Sequence, residues 1–184
     1  DLDETDLWII SKLNSTIEDV NNAYESYKMN EAVKIVYDFV YSDFCDWYIE
    51  LSKTRFYGAD EKNRKTALNV SVYCMRTILK LLHPYTPYIT EELWSNFSSD
   101  DSMLISESWP IPNNDMIDRN IETNLELIKK TISSIRNIRA EMNIPMGKEI
   151  DIIVKASKND SKIFEDLKPY IIRLAKIENI IIDS

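Results

Sequence analysis

The groups in this sequence best suited to chemistry are its guanidinium and ammonium side chains, and the chemistry they suit is recognition of anions. The stretch from Ser134 to Pro145 reads Ser-Ile-Arg-Asn-Ile-Arg-Ala-Glu-Met-Asn-Ile-Pro. On a helix turning by about 100° per residue, Lys129, Arg136 and Asn143 share one polar edge along several turns. Arg139 projects elsewhere, into the apolar stripe of Leu125, Ile128, Ile132, Ile135 and Met142, where an unpaired guanidinium is costly. Two readings stay open. Either the core has ended by that turn and Arg139 emerges, its planar donor fork offered to phosphates or base edges, or a carboxylate such as Asp46 or one near Glu141 holds it.

Catalytic chemistry finds no adequate constellation. The one histidine, His83, adjoins the helix-stopping Pro84, where an imidazole near the last carbonyls has a capping or packing role. Cys45 and Cys74 lie within apolar helical patterns and read as small buried hydrophobes, reduced in a cytoplasmic setting. Without a second histidine they make no metal site. Only 2 glycines occur, which excludes a glycine-rich phosphate cradle. Serines and carboxylates are scattered. The expectation is a chain with no catalytic site, no metal and no cofactor of its own.

The net charge of -9 runs against an anion-binding role, so the distribution decides. From Lys53 to Lys80 there are 7 basic residues against Asp60 and Glu61; from Lys129 to Lys148 there are 5 against Glu141 alone. The acid lies elsewhere. With 44% apolar and 29% charged residues in 184, the chain has a folding, non-disordered balance. No apolar run approaches the roughly 18 residues of a membrane span, and the Asp-Leu-Asp-Glu opening is unlike a leader peptide.

The elements that must position these groups are mostly helices. Ile9, Leu13, Ile17, Val20, Tyr24 and Tyr27 step by three and four, which predicts a helix from Thr5 to about Tyr27 with one core stripe. A second helix starts at Asn30 as N-cap and carries Val33, Val36, Phe39, Val40, Trp47, Tyr48 and Leu51; Phe39, Trp47 and Trp94 are assigned to the core. After a turn at Gly58, a third carries Ala67, Val70, Cys74, Ile78 and Leu81 and stops at Pro84. Thr86-Pro87 is an N-cap with a first-turn proline for a short helix to about Phe97. Residues 98–120 read as a crossover pinned by Trp109, followed by a long helix from about Ile121 to Met142. Beyond Lys148, a strand at Ile150–Val154, helical residues broken at Pro169 and a second β-rich run at Asn179–Ile182 predict a small α/β appendage. The fold class is therefore mainly α: a helix bundle over 1–148 and an appendage over 149–184, together reading as a piece of something longer.

Three runs carry a resemblance. Asp43 to Lys53 (Asp-Phe-Cys-Asp-Trp-Tyr-Ile-Glu-Leu-Ser-Lys), Leu81 to Trp94 (Leu-Leu-His-Pro-Tyr-Thr-Pro-Tyr-Ile-Thr-Glu-Glu-Leu-Trp) and Arg136 to Pro145 resemble the class I aminoacyl-tRNA synthetases, in the order and approximate spacing of their anticodon-binding domain. The second run is shared loosely with the isoleucine, leucine and methionine enzymes; the other two favour the valine family. The resemblance implies an anticodon-binding helix bundle that grips the anticodon stem and loop of tRNA. A separate catalytic domain of the same polypeptide would attach valine using ATP. Neither a His-Ile-Gly-His-like nor a Lys-Met-Ser-Lys-Ser-like signature occurs here, in keeping with that division.

An anticodon loop exposes bases that stack on aromatic rings and phosphates that attract Lys and Arg. On the matching motifs and basic segments, the candidate tRNA contacts are Lys53, Lys80, Arg136 and Arg139, with Tyr88 as a stacking surface and Asn143 and Ile144 at the loop-facing turn. Alternatives within the class are the isoleucyl- and leucyl-tRNA synthetase domains. From other classes, a protein-interaction module using the acidic surface, or a scaffold for the catalytic domain with the Trp8 region as contact, would serve the same composition.

Overall fold

The structure is a computed structural model that describes residues 2–98, 102–145 and 147–183. It is mainly helical, with one two-stranded parallel sheet near the C-terminal end. The chain divides into two compact units, Asp1–Ile121 and Glu122–Ser184.

In the first unit, helix α1 spans Glu4–Glu25. Asp3 caps it, its carboxylate accepting from the Thr5 amide at 2.9 Å, while Asp6 reaches back to the Asp3 amide at 3.1 Å in a capping box. Ile9, Leu13, Ile17 and Val20 are buried, as their spacing predicts, and Trp8 is buried beside them. Tyr27 is not: it is 88% exposed, in the left-handed region at φ 57°. The Lys28 amide donates to Ala23 O and that of Tyr27 to Tyr24 O, the paired bonds that close a helix through a left-handed residue. That turn feeds straight into α2, Met29–Asp38, whose N-cap is Lys28 and not Asn30; the Lys28 carbonyl accepts the Ala32 amide.

Helix α2 continues without a break into a π-helical run, Phe39–Ile49, and then α3, Glu50–Phe56. The wider π turn resets which residues face inward. Phe39, Phe44 and Tyr48 are buried at steps of five and four, in place of the three-and-four steps of an α-helix. Cys45 therefore faces outward, correcting its expected burial, and Trp47 is only half-buried, whereas Cys74, Phe39 and Trp94 are inside.

Helix α4, Glu61–Leu82, is capped by Asp60 and buries Ala67, Val70, Cys74, Ile78 and Leu81. It packs on α1 and α3. Gly58 stands in the preceding turn, where a Cβ would lie 2.7 Å from the Thr54 carbonyl. Helix α5, Pro87–Trp94, has Thr86 at its N-cap, but the threonine hydroxyl donates to Leu82 O at 3.3 Å instead of capping. Leu79, Trp94 and Leu104 form an apolar cluster with Met75 and Phe97 against them.

Residues 99–101 of the expected crossover lie outside the described residues; its described part carries two short 3-10 turns, Leu104–Ser106 and Asn114–Met116. Glu91 holds the first, accepting from the Leu104 amide at 2.7 Å and the Ile105 amide at 3.3 Å. The rest is stitched to the polar side of α1. Trp109 Nε1 donates to Asn21 at 2.7 Å, the Asn113 amide to Asn14 at 2.8 Å, and the Asp118 amide to Ser11 at 2.8 Å. Trp109 also meets Tyr24 edge-on at 5.5 Å. These bonds explain why Ser11 and Asn14 are buried on a helix that also carries the apolar core: their polar atoms take up loop backbone that water would otherwise satisfy.

The second unit begins within α6, Arg119–Glu141, whose first amides at Asn120 and Ile121 donate to Asp118. Leu125, Ile128, Ile132 and Ile135 are buried, but Met142 is exposed, so the apolar stripe ends one turn earlier than its spacing predicts. Strand β1, Ile150–Lys155, pairs in parallel with β2, Ile177–Asp183, with Ile152 opposite Ile180 and Val154 opposite Ile182. Between them lie α7, Lys158–Asp166, capped by Ser157, and α8, Lys168–Ala175. Pro169 starts α8, where a missing amide costs nothing. Phe164, Leu167, Ile171, Ala175, Ile177 and Ile180 are the buried side chains of this α/β element.

Candidate nucleic-acid interface

Four of the seven sequence-nominated residues lie at one end of α6. The helix closes through Asn143, left-handed at φ 53°, with the Asn143 amide donating to Ala140 O at 3.1 Å and the Ile144 amide to Arg139 O at 2.9 Å. Asparagine tolerates that conformation better than most residues. Asn143 is exposed and Ile144 half-buried.

Arg139 is buried, at 6% exposure. No carboxylate is among the partners seen for it; its fork donates to three backbone carbonyls, Nη1 to Lys176 O at 3.0 Å and Nη2 to Pro145 O at 3.0 Å and Lys148 O at 2.6 Å. One turn back, Arg136 is exposed and donates from Nε and Nη2 to Leu174 O at 3.1 and 2.9 Å. Leu174 and Lys176 close the C-terminal end of α8, where carbonyls lack helical partners and the helix dipole is negative, so two guanidiniums there are electrostatically apt. Lys129 is buried beside Glu126, its ion-pair partner, leaving Arg136 and Asn143 as the exposed members of the expected polar edge.

Lys53, Lys80 and Tyr88 belong to the first unit, on three different helices. Lys53 on α3 is exposed and paired with Glu50 one turn back. Lys80 on α4 is partly covered, 2.8 Å from Glu107, with its Nζ 5.5 Å from the Trp94 ring centre; the Arg76 guanidinium lies 5.0 Å from the same ring. The hydrogen bond from Lys80 holds the Glu107 carboxyl below the usual glutamate range, helped by the charges of Lys80 and Arg76 and opposed by some desolvation. Tyr88, in the first turn of α5, is 92% exposed beside a groove of about 370 Å³ whose lining includes His83, Glu91, Met103 and Ile105. His83 Nδ1 lies 2.8 Å from the Thr90 hydroxyl, a packing role as its position beside Pro84 implies.

Sequence reasoning missed a buried polar centre. Asp6, with no exposed surface, accepts from Arg55 Nη1 at 2.8 Å and Nη2 at 2.6 Å, and from the Tyr48 hydroxyl at 2.8 Å. Burial of Arg55 opposes its charge, but its hydrogen bonds to Asp6 and the charges of Asp6 and Asp3 outweigh that and raise its pKa. Burial, then the negative Asp6, drives the Tyr48 phenol far above its ordinary pKa. The sequence signal was the pairing of Asp3 and Asp6 as a capping box, but nothing local marked Arg55, 49 residues on, as its partner. Trp8, the nominated interdomain contact, is fully buried. Among the described residues, no group of three or more His, Cys, Asp or Glu could hold a metal ion, and no helix is long and apolar enough to cross a membrane.

The chain is mainly helical and presents exposed basic and amide groups, Arg136 and Asn143, at one helix end. Residues 6–154 match the family described as the anticodon-binding domain of tRNA ligase. The chain belongs to that family. Its curated relatives include proteins named Valine--tRNA ligase from Fusobacterium nucleatum, 38% identical over 98% of this chain, from Listeria innocua, 36% over 97%, and from Thermosynechococcus vestitus, 39% over 100%. The chain spans about a fifth of the length of these relatives, 21%, 20% and 20% respectively.

Proposed function

We propose that this chain is the anticodon-binding part of a longer valine–tRNA ligase and that it grips the anticodon stem and loop of the valine tRNA. The observation that carries the reading is the family match over most of the chain, joined by near full-chain similarity to relatives that bear the valine name. In this reading ATP and valine are handled by a catalytic domain elsewhere on the same polypeptide, in the cytoplasm. The tRNA contacts are Lys53, Lys80, Tyr88, Arg136, Asn143 and Ile144, and Arg139, nominated with them, lies buried within the same site. Exposed cations supply sequence-independent attraction to phosphates, while Tyr88 and the Asn143–Ile144 turn offer a ring face and an amide for unstacked bases.

Nuclease footprinting of the valine tRNA with the 184-residue chain tests this. Protection confined to the anticodon stem and loop is the expected result; protection of the acceptor end alone, or none at low salt, would sink it. A second reading has its own observation. Tyr37 and Tyr41 form an exposed ring pair 4.3 Å apart, an aromatic surface that suits contact with the rest of a ligase.

A further inference from the structure

Arg139 and Arg136 sit three residues apart on one helix, yet the structure treats them in opposite ways. Arg136 keeps an exposed guanidinium whose Nε and Nη2 donate to Leu174 O. Arg139 is buried, with three carbonyls on two of its nitrogens. A phosphate would have to compete with those three carbonyls for a guanidinium that is already largely covered.

What those carbonyls belong to gives the residue its role. Pro145 and Lys148 are themselves tied together, the Lys148 amide donating to Pro145 O at 3.0 Å. Lys176, left-handed at φ 55°, is the junction between α8 and β2. The main chain of Arg139 adds a fourth tie, because its own carbonyl accepts the Ile144 amide. The Asn143–Ile144 segment is thus held from both sides by one residue, through its backbone before the turn and its side chain after it.

We propose that Arg139 is a positioning residue for nucleic-acid binding: it fixes the turn that presents Asn143 and Ile144, and it does not itself touch RNA. The proposal rests on the tRNA-binding reading above and assigns Arg139 its place within that site. Lysine is no substitute, since a point-like ammonium cannot span three carbonyls that a planar fork reaches together.

The test is binding of the 184-residue chain to a valine tRNA transcript across a salt series, comparing wild type with Arg139→Lys, Arg139→Gln and Arg136→Ala. A residue that neutralises a phosphate contributes about 0.7 to 0.9 to the slope of log K against log salt. The expected result is that Arg139→Lys and Arg139→Gln each weaken binding about ten-fold with the wild-type slope, whereas Arg136→Ala flattens the slope. Hydrogen exchange at the Ile144 amide should quicken in Arg139→Lys while the amides of α1 and α4 are unchanged, which decides the matter even if Arg139→Gln does not fold. Near-normal binding by Arg139→Lys, with a flattened slope in Arg139→Gln, would overturn the proposal in favour of direct phosphate contact. Unchanged binding in both Arg139 variants would overturn it while leaving the tRNA reading standing. No binding by wild type at low salt would remove the tRNA reading itself, and the positioning role with it.

Discussion

The Asp6 carboxylate and the Arg55 guanidinium meet as two forks, at 2.8 and 2.6 Å, across the start of α1 and the end of α3. Asp6 is at once the return arm of the capping box and the buried counter-charge, so one residue couples the entry of a helix to the packing of another. Removing one partner strands the other in the interior. Arg55→Met or Asp6→Asn is expected to cost about 3 to 5 kcal/mol in urea unfolding, with the double variant losing less than the sum of the two. Tyr48→Phe, which removes one of several donors to Asp6, should cost nearer 1 kcal/mol.

The two cysteines should separate cleanly toward a thiol reagent. Cys74 has no exposed surface, and burial, with the nearby Asp6, pushes its thiol up to about 12. Cys45 is exposed, its thiol raised more modestly by desolvation and then by Asp46. At pH 8 one thiol per native chain should react and the second only on unfolding. A native chain in which Cys45 does not react would mean that the π turn does not set the register of this helix as described.

Two residues in left-handed conformation offer opposite outcomes for the same substitution logic. Tyr27, at φ 57° and almost wholly exposed, carries a backbone cost that glycine avoids, so Tyr27→Gly should gain up to about 1 kcal/mol. Asn143, at φ 53°, already suits the position: Asn143→Gly should stay within a few tenths of wild type and Asn143→Ala should lose about 1 kcal/mol. Thermal unfolding followed by circular dichroism reads both.

The Lys80–Glu107 contact predicts a direction with pH. Because Glu107 titrates below its ordinary value in the folded chain, the contribution of the contact is complete above the unfolded pKa and disappears as pH falls through the lower folded one. NMR titration of the Glu107 carboxyl carbon should give a midpoint below that of a free glutamate. In Lys80→Met that midpoint should move back up; an unmoved midpoint would remove Lys80 as the cause.

How far the fold was legible depended on whether a signal was local. The α1 stripe, the Gly58 turn, the proline that starts α5, the Trp109 pin and the strand-like alternation after Lys148 could each be read from neighbouring residues. The inversion at Cys45 could not, because α periodicity was applied through a π-helical run where inward positions fall at steps of five and four. Tyr27 misled for a related reason: its spacing continued the stripe, but the helix had already closed at Ser26. At the candidate interface, the wheel placed Arg139 among apolar residues, and it is buried. Its partners could not be foreseen, since carbonyls of Lys148 and Lys176 have no side-chain signature and lie 9 and 37 residues away. The crossover's attachment to Ser11 and Asn14 was hidden likewise, as polar residues on a core helix look like a solvated edge until the loop is laid over them.

Anticodon reading by this chain is tested most directly by the affinity of the 184-residue chain for the valine tRNA transcript, with intact anticodon and with the anticodon replaced by that of an isoleucine tRNA, at low and physiological salt. A preference of at least about ten-fold for the intact anticodon is expected, with both affinities falling as salt rises. Equal affinity for the two transcripts, or no binding at low salt, would contradict it.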